Sequence, residues 1–92
     1  MTTSVERIRA YQRVIDPMTV PQLEREISTL QTRLARELEG GLTLAVRLED
    51  AFRTRDRSEL NRLVRLIRQV DELMAIDVEK LNMATRELRS RT

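Results

Sequence analysis

Apolar positions recur every three or four residues along nearly the whole chain, a helical rather than an extended period. Val5, Ile8, Tyr11 and Ile15 open the pattern. Thr3-Ser4-Val5-Glu6 reads as a capping box, a hydroxyl followed three residues on by a carboxylate. Asp16-Pro17 closes the segment, because the residue before proline avoids helical angles. A short helix is expected over about residues 4–15.

In Met18-Thr19-Val20-Pro21-Gln22-Leu23, Thr19 suits an N-cap with Gln22 as its partner. Met18 and Leu23 occupy the two staple positions, and Pro21 is tolerated in a first turn. The stripe Leu23, Ile27, Leu30, Leu34, Leu38, continued by Gly41, Ala45, Leu48 and Phe52, predicts a long helix over about 20–54. Gly40-Gly41 costs about 2 kcal/mol relative to alanines, enough to kink or break it. The stripe resumes in phase beyond the pair, which favours continuity.

Thr54-Arg55-Asp56-Arg57-Ser58-Glu59 is the clearer break, and Asp56 with Glu59 repeats the capping pattern. Leu60, Leu63, Ile67, Val70, Met74, Asp77, Leu81, Ala84 and Leu88 then alternate steps of three and four, a coiled-coil seam on a helix over about 57–90. Two long helices joined by a tight turn pack antiparallel. The expected fold is all-α: residues 1–92 as a single helical domain, a long coiled-coil-like hairpin with a short N-terminal helix, completing a bundle by oligomerisation. Positions summing to about 112 face each other, so Gly41 faces Asp71 and makes room beside Val70 and Leu73.

The last helix carries more apolar surface than a hairpin covers. Leu66, Leu73, Ile76, Val78 and Met83 lie beside its seam and form the candidate partner interface. The partner is a second copy, in a homodimer or higher oligomer, or a heterologous helical protein. Asp77 interrupts the seam with a charge. It either pairs with Arg33 or Arg36 and fixes the register, or sits at a solvated edge.

Composition narrows the chemistry. The chain has no Cys and no His, which removes thiol chemistry and the usual zinc and iron ligand sets. No catalytic, metal or cofactor residue stands out, no apolar run is long enough to span a bilayer, and the first residues lack a signal-peptide core. The chain is read as a cytoplasmic protein that is not an enzyme. Arg53, Arg55, Arg57, Arg62, Arg65 and Arg68 against Asp56 and Glu59 give residues 53–70 a charge of +4, in a chain of net +2. These six are candidate phosphate contacts, although no aromatics interleave with them. Arg68 and Glu72 have ion-pair spacing.

Two resemblances follow. Leu23, Ile27-Ser28, Leu30, Leu34, Leu38 and Leu44-Ala45-Val46 resemble the long first helix of the helical chorismate mutases. Their dianionic substrate needs cations where Glu24, Gly41 and Phe52 align here, so the resemblance implies a helical pattern and not the activity. Leu48-Glu49-Asp50-Ala51-Phe52, Arg55-Asp56, Leu60 and Leu63 resemble the small helical chaperones of flagellar and type III export. That resemblance implies a client-binding role. The expected function is a non-enzymatic protein–protein interaction module: an oligomeric scaffold, an adaptor or a small export chaperone. A nucleic-acid binder is the alternative.

Overall fold

The structure is a computed structural model and describes residues 4–92. It holds three helices: α1 (Ser4–Ile15), α2 (Val20–Arg53) and α3 (Arg57–Arg91). Helices α2 and α3 pack antiparallel as a hairpin, and α1 folds back along its base. No described helix is long and apolar enough to cross a membrane.

Local chemistry sets the boundaries. The proposed cap at Thr3 lies outside the described residues. Thr19 caps α2: its hydroxyl accepts from Gln22 N–H, and Gln22 Oε1 accepts from Thr19 N–H at 2.8 Å. At the start of α3, Asp56 accepts from Glu59 N–H at 3.1 Å, but the Glu59 side chain turns to Arg62 instead of closing a capping box.

The turn at the hairpin tip was expected without its mechanism. Asp56 N–H donates to Ala51 O at 3.0 Å and Arg55 N–H to Phe52 O at 3.3 Å. These are the two bonds of a Schellman motif. Its left-handed position, normally glycine, is Arg55 with φ 56°.

Gly40-Gly41 neither breaks nor ends α2, which runs through both. A Cβ on Gly41 would meet Val70 Cγ1 at 3.7 Å, while one on Gly40 would meet nothing within 4 Å. Gly41 therefore faces Val70, one residue from the Asp71 expected. Packing against α3 carries the helix through the pair.

The seam of α2 corrects the sequence reading. Leu23, Ile27, Leu30, Leu34, Glu37, Gly41, Leu44, Leu48 and Ala51 are all buried or half-buried and keep a strict heptad. The apolar stripe steps from Leu34 to Leu38 instead, because Glu37 is charged. From there Gly41 and Leu48 stay on the seam, but every other position of the stripe falls one residue beyond it. Leu38, Ala45 and Phe52 are consequently exposed, Phe52 at 74%.

The core sits at the base. Tyr11, Ile15, Leu23, Leu30 and Ala84 are buried together, with Met18, Ile27, Leu81, Met83 and Leu88 packed against them. Tyr11 Oη donates to Glu26 at 2.8 Å, and Lys80 Nζ lies 5.5 Å from its ring centroid. Burial first, then Glu26, pushes the phenol well above its ordinary pKa. Arg91 clamps the end of α1, donating to the carbonyls of Ile15, Asp16 and Met18 while paired with Glu87 at 2.8 Å.

Helix α1 reaches only the basal half. The Cα envelope is 54 × 27 × 13 Å, so the rest of the molecule is one helix thick. The radius of gyration is 17.1 Å, against roughly 12 Å for a compact chain of this length. A layer one helix thick leaves two faces without a packing partner.

Candidate functional site

Two arrangements stand out: a polar cluster across the seam and the uncovered faces around the tip.

Asp77 is 4% exposed and takes a two-pronged grip from Arg33. Arg33 Nε donates to Oδ2 at 3.0 Å and Nη2 to Oδ1 at 2.7 Å. Arg36 is exposed and makes no ion pair among the described residues. The Arg33 bonds hold Asp77 below the ordinary carboxylate range, against the opposing effect of burial. Glu37 completes the cluster from the next turn of α2. Its Oε2 is buried without a hydrogen-bond partner. Burial, then the adjacent Asp77, pushes Glu37 above its ordinary value. Two carboxyls and one guanidinium crossing a seam form a register lock. Among the described residues no group of three or more potential ligands could hold a metal ion.

Heptad position sorts the remaining side chains onto two faces. The front face is the α1 side. It carries Leu66, Leu73, Ile76 and Met83 of α3, opposite Gly40, Thr43 and Arg47 of α2. Met83 packs against the basal cluster, so α1 already covers it. Leu66 and Ile76 are half-buried, and Leu73 is exposed. Val78 is exposed too but belongs to the back face. It lies five residues from Leu73, about 140° around the helix. The interface read from α3 alone is therefore two surfaces with one member already covered.

The back face was missed. Leu38, Leu42 and Phe52 of α2 join Val64 and Val78 of α3, all exposed. The diagonal Leu38-Leu42-Val46 at i, i+4 was the available signal. Phe52, Leu60, Arg55 and Arg57 surround a hollow of about 420 Å³ at the tip.

The tip arginines are partly committed. Arg53 pairs with Glu49 at 2.8 Å and Arg62 with Glu59 at 2.5 Å. Arg65 Nε donates to Asn61 O at 3.4 Å. Arg55, Arg57 and Arg68 are exposed and form no ion pair among the described residues, so the Arg68–Glu72 pairing does not form.

No protein-family model matches the chain, and neither a curated protein nor a solved structure matches it.

Proposed function

We propose that the chain is a non-enzymatic helical protein–protein interaction module that works through the uncovered faces of the distal hairpin. One observation carries the reading. Beyond α1 the molecule is a single helical layer with exposed apolar side chains on both faces, Leu42 at 60% and Phe52 at 74% on the back and Leu73 at 54% on the front. Large apolar patches rimmed by polar groups mark interaction surfaces. A scaffold, an adaptor and a small chaperone are forms of this one reading, differing only in what occupies the faces.

The test replaces Leu42, Phe52 and Leu73 together by Glu. At low micromolar concentration the native chain should enhance the fluorescence of anilinonaphthalene sulfonate. The triple variant should lose that signal with helicity and melting temperature unchanged. Equal dye binding by both proteins would show that these side chains are not the accessible apolar surface.

A second reading rests on the tip hollow, where Phe52 lies beside Arg55 and Arg57. An aromatic side chain and arginines lining one hollow can serve as a platform for a base and its phosphate. Single-stranded oligonucleotide anisotropy at low salt tests it. Binding should weaken steeply with added salt and be lost on Phe52→Ala. Absence of binding at low salt rejects it.

A further inference from the structure

We infer that the back face of the distal hairpin receives a second copy of the same chain, laid antiparallel about a two-fold axis at Val64. This rests on the interaction-module reading and names its partner.

The first argument is area. The chain exposes 7027 Å², roughly 1,500 Å² more than the roughly 5,500 Å² typical of a folded monomer of its mass. A standard interface buries about 800 Å² on each partner, so the excess is large enough to supply one.

The second argument is charge. The back line of α3 reads Arg57, Val64, Asp71, Val78, one residue per heptad. Arg57 and Asp71 lie equally far from Val64, about 10 Å along the axis on either side. A two-fold at Val64, perpendicular to the helices, sets α3 on its twin. Each Arg57 then meets the other copy's Asp71. Both side chains are exposed and form no ion pair among the described residues, so the pairing breaks none of these.

The third argument is apolar contact. The hairpin register is fixed by Arg33 with Asp77 and by Gly41 beside Val70. It sets Val64 level with about residues 46–47 on α2. The same two-fold therefore brings the exposed Phe52 ring towards the exposed Leu42 of the second copy, apolar against apolar. Glu49 is the one acid brought near its twin, and Arg53 already neutralises it at 2.8 Å. The overlap is about 20 Å long, which places the contact among small, transient interfaces.

The experiment is sedimentation velocity over a concentration series from low micromolar to millimolar, with dye binding on the same samples. The native chain should pass from monomer to dimer. Arg57→Glu and Asp71→Arg should each weaken the dimer at least about tenfold, because each sets like charges face to face. The double variant R57E/D71R should restore it, as should an equimolar mixture of the two single variants. Phe52→Glu should abolish it with helicity intact. If the double variant stays as weak as the singles, the antiparallel two-fold is overturned. A native chain monomeric at millimolar concentration overturns self-association altogether. In that case, retained dye binding would leave the module reading standing, and absent dye binding would remove it as well.

Discussion

Arg33→Ala is the sharpest test of the seam, because it leaves Asp77 where it is and removes the group that makes it tolerable there. Asp77 is 4% exposed and takes two hydrogen bonds from Arg33, at 2.7 and 3.0 Å. Deleting one partner of a buried pair costs about 3–5 kcal/mol. The Arg33 side chain is itself 48% exposed, so water screens part of the loss, and about 2–3 kcal/mol is expected. That is a large share of a total near 5–14 kcal/mol for a chain of this length.

Urea unfolding followed by circular dichroism at fixed protein concentration measures it. The loss should also depend on pH. In the native chain Asp77 has a depressed pKa, so its stabilisation is present above its ordinary value near 4 and is lost as pH falls below. Without Arg33 the carboxylate is buried unpaired beside Glu37, and acid should relieve the variant by neutralising it. The gap between the two proteins should therefore narrow from pH 7 towards pH 4. Combining Arg33→Met with Asp77→Leu should recover most of the loss, since an apolar pair of similar volume often matches a buried ion pair. A cost for Arg33→Ala below about 0.5 kcal/mol, or a gap that does not change with pH, would refute the claim that Asp77 depends on Arg33.

Glu37→Gln should raise stability at pH 7 by about 1 kcal/mol, because an amide can donate to Asp77 where a carboxylate cannot. Glu37 has a raised pKa, so its contribution is full below its ordinary value near 4.5 and is lost as pH rises; the variant's stability curve should be flatter above that pH. Gly40→Ala with Gly41→Ala should stabilise the chain by about 1–2 kcal/mol in urea unfolding, since both positions are helical and neither Cβ would clash. A loss of stability there would show that α2 needs the pair for a bend. Arg55→Gly should raise the melting temperature, removing about 1 kcal/mol of left-handed strain at φ 56°.

The elements were legible because their signals are local. Thr19 with Gln22, Asp16-Pro17 and Asp56 with Glu59 each mark a helix end within four residues. The period of three and four does the rest, and it survives Gly40-Gly41 because burial is judged over many turns. The α3 seam could be followed through Asp77 because the flanking residues hold the count on both sides. The α2 seam could not be followed through Glu37, because Leu38 stands next to it and looks apolar enough to continue. One charged seam position thus displaced alternate members of the distal α2 seam, Leu38, Ala45 and Phe52, and with them hid the back face. Arg33 and Asp77 come within reach once the turn is placed, since their numbers sum to 110. The placement of α1 was not legible. Its stripe of Tyr11 and Ile15 fits either face of the hairpin, and the choice rests on pairings such as Tyr11 with Glu26 and Arg91 with the end of α1.

That choice makes the two faces unlike each other. On the front, α1 covers the base, and the Arg33–Asp77–Glu37 cluster lies just beyond it. A partner helix laid there would have to desolvate a half-exposed guanidinium and a carboxyl already short of donors, which is costly. On the back no described helix covers the hairpin. Its only acid between Leu38 and Phe52 on α2 is Glu49, neutralised by Arg53. Burying that side removes apolar surface from water at little polar cost, which is the balance that drives association. The charges placed to seam α2 onto α3 therefore also bias which face stays available for a partner.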